Sequence, residues 1–405
     1  MLFALPLFHR FVRYGNDRLR KGGVFPLEGN RKLKVLHLIS GGDIGGAKVQ
    51  VLTLVKNLQK QNVEVKVLCF IKGIFYEEAV AMGLDIELIK QPSRLDMSVV
   101  DKIKAIVDSE EYDLIHSHGA RANLISMLLK RKIKIPVITT IHSDYRLDFE
   151  DTFYKRWIFT PLNAIALRFM DYYITVSMEL KEKLVERGFP NKKISYIFNG
   201  LDFESEMSYT PREEYFKRLN IPYDPCCIYI GILGRLHPVK GHKVFLEGAA
   251  EALKEAGHLR FIVGGDGIEI ENLQKLCSKL QIEHAVHFVG FVQNPYDFFN
   301  AIDINALTSY SEGFPYALLE GAKMKKPTIS SDVGDVSKLI LSDRTGLLFP
   351  LGDHKAFGDH LITLGNSAER REQFGQQLFE YGKKHFSAVE MASQYHTVYM
   401  QVKGT

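Results

Sequence analysis

The sequence predicts an α/β protein of two doubly wound domains joined end to end, on three observations. Short apolar runs ending in glycine or small polar residues recur along the chain, each followed by a helical pattern, as expected of parallel strands joined by crossover helices. The series restarts once, at residues 226–233. Between the two series lie residues 201–225, carrying Ser, Thr and three prolines, which read as the connection between domains.

Residues 35–39 form the first apolar run, which ends in Ser40-Gly41-Gly42 and reads as a buried strand. Val49, Leu52, Leu54, Val55 and Leu58 then repeat at helical spacing. Further strands are expected at 63–71, 84–89, 113–117, 137–141, 172–176 and 194–198. In the second series they are expected at 226–233, 259–263, 285–289, 304–307, 327–330 and 346–349. Ligands of open α/β sheets bind beyond the carboxyl ends of the strands, so the residues just after each run are the ones to weigh.

The 405 residues, 46% of them hydrophobic, suffice for two or three domains with full cores. A net charge of +4 argues against nucleic acid as the main partner. Cys69, Cys226, Cys227 and Cys277 show neither a disulfide framework nor zinc spacing, which fits a reducing, cytoplasmic setting. Cys226 and Cys227 are expected to open a strand and pack in a core. No run reaches the roughly 18 to 20 apolar residues of a membrane-spanning helix. Two stretches suit an anionic membrane surface instead. Residues 1–33 interleave Leu2, Phe3, Leu5, Leu7, Phe8, Phe11 and Val12 with Arg10 and Arg13, followed by Arg18, Arg20 and Lys21. Residues 146–167 set Phe149, Phe153, Tyr154, Trp157, Ile158 and Phe159 beside Lys155 and Arg156. The first stretch reads equally as an arm on the protein's own surface, the second as a helix buried in the core.

Glu312 and Glu320 carry the strongest chemical signal. They lie eight positions apart in Ser311-Glu312-Gly313-Phe314-Pro315-Tyr316-Ala317-Leu318-Leu319-Glu320-Gly321. The first is in a Gly/Pro loop, the second inside a helix whose first turn suits Pro315. Glu312 is expected beside free helix amides that favour anions, so a ligand with a phosphate and several hydroxyls could meet the whole group. An acid-flanked amphipathic helix is the plainer reading. Gly41-Gly42-Asp43-Ile44-Gly45-Gly46-Ala47 is either a tight turn or an anion site, since it matches neither G-x-G-x-x-G nor a P-loop. His116-Ser117-His118 ends one strand and His142-Ser143-Asp144 another. His116 reads as a packing residue, and no carboxylate completes a metal set with these histidines, so no metal is expected. His142, at its strand tip beside polar residues, is the better active-site candidate. Gly234-Arg235 and Lys240-Gly241 place two cations after the second series' first strand, where Arg can grip phosphate bidentately and Lys adds a point charge. Gly264-Gly265-Asp266-Gly267 and Gly290-Phe291-Val292 end two more strands, the latter able to offer main-chain groups to a base.

Taken in order, these pieces with Phe198-Asn199-Gly200-Leu201-Asp202 resemble the retaining glycosyltransferases of family 4, which have the GT-B fold, over residues 34–400. The resemblance implies two Rossmann-like domains facing a central cleft. Residues 34–205 would form the acceptor side and 206–385 the nucleotide-sugar side, with a helix in 386–405 crossing back to the first; residues 1–33 have no counterpart. It further implies that Arg235 and Lys240 neutralise a diphosphate leaving group with no metal or other cofactor. Amides at Gly45, Gly46, Gly313 and Phe314 would help hold the diphosphate or sugar, with Val292, Pro315 and Leu319 completing the donor site. Glu320 would accept from ribose hydroxyls, Glu312 from those of the transferred sugar. His142 would orient that sugar for front-side attack, with His118, Asp144 and Arg146 on the acceptor side. Two departures from the family pattern stand out: the basic Lys323, Lys325 and Lys326, and Asp335 with Ser337-Lys338 where glycine and Pro-Glu are usual.

The expected activity is transfer of a hexose or N-acetylhexosamine from a nucleotide-diphosphate sugar, UDP-linked rather than GDP-linked. The acceptor would be a glycan or lipid-linked molecule of bacterial cell-surface polysaccharide synthesis, met in the cytoplasm or on the inner face of the plasma membrane. A nucleotide-sugar epimerase of the same fold and a non-catalytic sugar-nucleotide-binding module stay open as other classes.

Overall fold

Among the described residues, thirteen strands form two fully parallel sheets. The computed structural model describes residues 31–42, 45–91, 93, 96–146 and 153–404, with 153–156 described in main chain only. The readings of residues 1–30, Asp43, Ile44 and Phe149, and of the side chains of Phe153, Tyr154, Lys155 and Arg156, lie outside the described residues. The first half alternates β1 (Lys34–Ile39), α1 (Gly46–Lys60), β2 (Glu64–Cys69), α2 (Ile74–Ala81), β3 (Ile86–Leu88), α3 (Ser98–Glu110), β4 (Leu114–His118), α4 (Gly119–Leu129), β5 (Val137–Ile141), α5 (Phe153–Leu167), β6 (Tyr172–Thr175), α6 (Met178–Glu186) and β7 (Ile194–Tyr196). Its sheet runs β3-β2-β1-β4-β5-β6-β7. The second half comprises α7 (Arg212–Arg218), β8 (Ile228–Leu233), α8 (His242–Leu253), β9 (Leu259–Gly264), α9 (Ile270–Leu280), β10 (Val286–Gly290), α10 (Pro295–Ala301), β11 (Ile304–Leu307), α11 (Tyr316–Lys323), β12 (Thr328–Ser331), β13 (Gly346–Phe349), α12 (His354–Gly365), α13 (Ala368–His385) and α14 (Ala388–Lys403). Its sheet runs β10-β9-β8-β11-β12-β13.

These orders put a topological switch between β1 and β4 in the first sheet and between β8 and β11 in the second, where crossovers diverge and leave a crevice. Both faces of each sheet are covered, which explains why the strands read as apolar runs rather than alternating ones. On one face of the first sheet Val51, Leu54 and Leu58 of α1 share a core with Met391, Tyr395, Val398 and Tyr399 of α14. The last helix therefore completes the core of the first half. Ser387 opens it, its Oγ accepting from the Glu390 amide, and its main chain bridges to Leu201.

Three expectations change in detail. Residues 201–225 are a docked segment rather than a bare connection, because Tyr215 and Phe216 of α7 bury beside Phe298 and Phe299 of α10. Cys226 is exposed, because the strand starts at Ile228 and only Cys227 turns inward; all four cysteines are free thiols. Finally, α5 is not buried all round: Trp157, Ile158, Leu162 and Ile165 are exposed while Ala166 and Leu167 pack inward. No helix among the described residues is long and apolar enough to cross a membrane.

Candidate active site

β8 leads through Gly234 to the exposed Arg235, then to a single turn at Pro238–Lys240 capped by His237, whose Nδ1 accepts from the Val239 amide at 3.3 Å. Gly241 follows with φ +64°, and a Cβ there would sit 1.9 Å from the Thr308 carbonyl oxygen, so only glycine lets this turn rest on the end of β11. The Thr308 hydroxyl fastens it by donating to the Gly241 carbonyl at 2.9 Å. The turn places Lys240 Nζ 2.6 Å from Glu312 Oε1. Ser309 Oγ donates to the same oxygen at 2.6 Å. Glu312 is thus held by a cation and a hydroxyl, not by helix amides as the sequence suggested: Pro315 lies at the cap position, extended, and α11 begins only at Tyr316. The pair is largely desolvated, with side-chain exposures of 23% for Lys240 and 7% for Glu312. Removing one partner would leave the other charge uncompensated.

One turn into α11, Glu320 is buried, and that burial pushes its carboxyl up to about 7, with Lys48 partly opposing. Lys48 sits in the first turn of α1, 2.5 Å from Glu78 Oε1. Beside it, Gly45 and Gly46 are exposed at a helix start that no side chain caps, an arrangement suited to an anion. Leu319 takes a different place from the one expected, and the Phe314 side chain joins it. Phe314 stacks on Phe386 at 4.8 Å and Leu319 is fully buried, so both side chains belong to the core. Val292 lies past β10, at the sheet's edge and two strands from β8.

The first half meets this site directly. A Cβ on Gly313 would come within 3.0 Å of the His142 carbonyl oxygen and 2.8 Å of Val176, so the absence of a side chain is what lets the Glu312 loop close on the tip of β5. Asn199 donates to the Phe314 carbonyl at 2.6 Å, and Tyr316 donates to the Gly200 carbonyl at 3.2 Å. Asp335 accepts from the Met178 and Glu179 amides at the start of α6.

His142 is not isolated. Its Nε2 lies 3.4 Å from His118 Nδ1, and His118 Nε2 lies 3.0 Å from His37 Nδ1. His37 Nε2 is 3.4 Å from the Tyr399 hydroxyl, which is 2.6 Å from His116 Nδ1. His116 Nε2 is 2.8 Å from Thr140 Oγ1. Burial holds all four imidazoles well below their ordinary range, to about 4 for His142 and about 3 for His37. Ligand atoms of His37, His116 and His118 lie within 4.8 Å of one another, so these three could hold a metal ion by giving up hydrogen bonds they make to each other and to Tyr399.

On the acceptor side the candidates separate. His118 is 1% exposed, which withdraws it from direct acceptor contact. Asp144 receives both guanidinium nitrogens of Arg187, at 2.7 and 2.6 Å. Burial opposes its ionisation, yet Arg187 and the Arg146 amide outweigh that and keep its carboxyl below the usual range. Asp144 is therefore a structural partner, whereas Arg146 stays exposed. A cavity of about 150 Å³ opens nearby at the β1/β4 switch, lined by Ser40, Gln91, Gly119, Arg121, Phe159 and Asn163. Gln91 Oε1 is buried there without a partner among the described residues.

Sequence reasoning missed Lys48, His37, His242 and the two α14 tyrosines. Two had visible signals: His37 interrupts an apolar strand, and Lys48 follows the Gly45-Gly46 turn. His242 opens α8 with both ring nitrogens buried and unpartnered, on a cavity of about 30 Å³ that it shares with Lys240 and Glu312. The tyrosines are brought in only by the return of α14.

Comparison with known proteins agrees with this geometry. The Glycosyltransferase Family 4 profile matches residues 44–205 and the Glycosyl transferases group 1 profile matches 211–380. The O-antigen biosynthesis glycosyltransferase WclY of Escherichia coli is 26% identical, over 91% of this chain and 98% of that protein. The N-acetyl-alpha-D-glucosaminyl L-malate synthase of Bacillus anthracis is 25% identical, over 76% of this chain and 79% of that protein. Anabaena Alr3699/HepE, solved in complex with UDP and glucose, superposes with a TM-score of 0.77 at 20% identity, covering 91% of this chain and all of that one, and so shares the fold. The two profiles together span most of the chain, one on each sheet, and the chain belongs to the GT-B glycosyltransferases, with a family 4 first half and a group 1 second half.

Proposed function

We propose that the protein is a retaining, metal-independent transferase that moves a hexose or N-acetylhexosamine from a UDP-sugar to a glycan or lipid-linked acceptor of bacterial cell-surface polysaccharide. The observation that carries this reading is the desolvated Lys240–Glu312 pair at the β8/β11 switch, on the loop whose Gly313 packs against the His142 carbonyl. A diphosphate arriving beside Lys240 and Arg235 finds the positive charge its departure needs, and charge placed in advance in a desolvated site stabilises the leaving group strongly. Glu312 is then free to accept from sugar hydroxyls, and Glu320 from the ribose. No second carboxylate flanks His142 among the residues named in the cleft, which favours front-side attack over a covalent intermediate. An acceptor has room in the cavity at the β1/β4 switch, where Gln91 Oε1 lacks a partner. The exposed apolar residues of α5, beside it, suit contact with an anionic membrane where lipid-linked acceptors lie.

The test is a thermal-shift screen of nucleotide sugars followed by incubation with the stabilising donor, since a ligand binding the native state raises its melting temperature by mass action. Stabilisation by a UDP-sugar, with release of UDP that depends on added acceptor, an α-linked product from an α-donor, and activity unchanged by chelator is expected. An epimerised sugar nucleotide formed from donor alone would overturn the transferase reading. Failure to float with anionic liposomes would remove the membrane part alone.

A further inference from the structure

We infer that the tyrosine hydroxyls of the returning helix α14 lock His142 in its Nδ1–H tautomer, making it a fixed hydrogen-bond donor in the cleft rather than a base. The argument is one of direction. Gln50 donates from Nε2 to the Tyr395 hydroxyl at 2.9 Å, and Tyr395 lies 3.1 Å from Thr140 Oγ1. The opposite placing of the Gln50 amide would bury an NH₂ group without an acceptor, whereas the observed one leaves only Oε1 unpartnered, the less costly omission. Once Tyr395 accepts from Gln50, its own proton goes to Thr140, whose proton goes to His116 Nε2 at 2.8 Å. A neutral imidazole has one N–H and one bare nitrogen, so each acceptance fixes the donor on the other side. His116 donates from Nδ1 to Tyr399 at 2.6 Å, Tyr399 to His37 Nε2 at 3.4 Å, His37 from Nδ1 to His118 Nε2 at 3.0 Å, and His118 from Nδ1 to His142 Nε2 at 3.4 Å.

Each group between Gln50 and His142 takes one hydrogen bond in this series and gives one. Every ring from His116 to His142 therefore carries its proton on Nδ1, the tautomer that free histidine disfavours. His142 Nδ1 makes no hydrogen bond to a described residue, and it is the donor the series delivers. The neutral state that burial imposes on these rings is what makes a tautomer lock workable, since a second proton on any ring would reverse its neighbour. Tyr399 acts as a positioning residue: it touches no substrate but decides which way His37, His118 and His142 point their protons. The role given to the sugar rests on the transferase reading above; the tautomers do not.

The experiment is histidine ¹⁵N labelling of the full chain, with long-range ¹H–¹⁵N spectra assigned by single-histidine substitutions. Four Nδ1–H rings are expected at positions 37, 116, 118 and 142. In Tyr399→Phe, which keeps the ring and its packing, His37, His118 and His142 should lose the single tautomer while His116, still fed by Thr140, keeps it. With donor and acceptor, this variant should lose about tenfold in kcat at a KM for donor within about twofold, the effect of one misdirected hydrogen bond. Should Tyr399→Phe fold poorly, Thr140→Val interrupts the same series upstream and must disturb all four rings, with Thr140→Ser restoring them. An Nε2–H tautomer at His142 in the unsubstituted protein overturns the inference, as does an unchanged His142 spectrum in folded Tyr399→Phe. Absence of any sugar transfer would count against the transferase reading and leave the tautomer result to stand by itself.

Discussion

At the scale of residues, the two glutamates of the Ser311–Gly321 motif have opposite electrostatic positions. Glu312 is compensated by Lys240, whereas Glu320 is buried with only partial help from Lys48 and is pushed up to about 7 against an ordinary 4.5. The native state thus binds more protons at Glu320 than the unfolded chain between those two values. Stability should fall as pH rises through that window and level off above about 7, the total being about 3 kcal/mol at most. Glu320→Gln should flatten this loss, giving a higher melting temperature than the unsubstituted protein above pH 7. A ribose hydroxyl prefers the ionised carboxylate, so donor affinity should strengthen as pH rises through 7 and lose that dependence in the variant. Calorimetric titration at several pH values checks both, and parallel pH profiles for the two proteins would refute Glu320 as the titrating group. His242 gives a second prediction. With both nitrogens unpartnered beside Lys240 and Glu312, it has polar capacity that a donor phosphate or hydroxyl would satisfy. His242→Phe should weaken donor binding about tenfold, the worth of one polar contact, while leaving melting temperature level or higher. A fall in stability with unchanged affinity would mark it as a structural group.

At the scale of elements, much was legible. The strands at 137–141, 304–307 and 346–349 coincide with β5, β11 and β13, because a parallel strand covered on both faces must be apolar throughout and must stop at a turn residue. The cations at 235 and 240 could be placed at a strand end for the same reason. What stayed illegible depends on approach between distant segments. Nothing local in Phe314 or Leu319 tells that their side chains turn into a core with Phe198 and Phe386. Nothing in Asp144 announces Arg187, which stands 43 positions later. Asp335, noted only as a departure from the family pattern, proves to receive the first amides of α6 from the other half of the protein. It supplements the cap from Ser177, whose Oγ accepts from the Leu180 amide. Asp335→Ala should cost about 1 kcal/mol, the usual worth of a cap. It should also widen the distribution of cleft openings seen by small-angle scattering. Equal stability together with an unchanged scattering profile would show the contact to be incidental.

At the scale of the whole molecule, α14 decides whether the two halves are separable. It follows α13 of the second half in sequence, yet Met391, Tyr395, Val398, Tyr399 and Val402 are buried in the core of the first. Tyr395 and Tyr399 are fully buried there and also carry the hydroxyls that reach His116 and His37. A first half without this helix would expose that apolar face and orphan the polar groups paired to it, and each orphaned group costs about 1–3 kcal/mol. A chain ending at Phe386 should therefore lose the cooperative unfolding and hydrogen-exchange protection of β1, β4 and β5. The second sheet, whose core uses no residue of α14, should keep its own protection. Restoring residues 387–404 as a separate peptide should recover protection in the first sheet, and Tyr395→Ala in that peptide should abolish the recovery, since truncating a large buried aromatic costs about 3–5 kcal/mol. If the truncated chain kept full protection in β1 and β4, the first half would be an independent folding unit. Coupling between the last helix and the tip of β5 would then have no thermodynamic basis. Loss confined to the first sheet would instead mean that the chain cannot assemble the His142 side of its cleft until its final residues have returned to it.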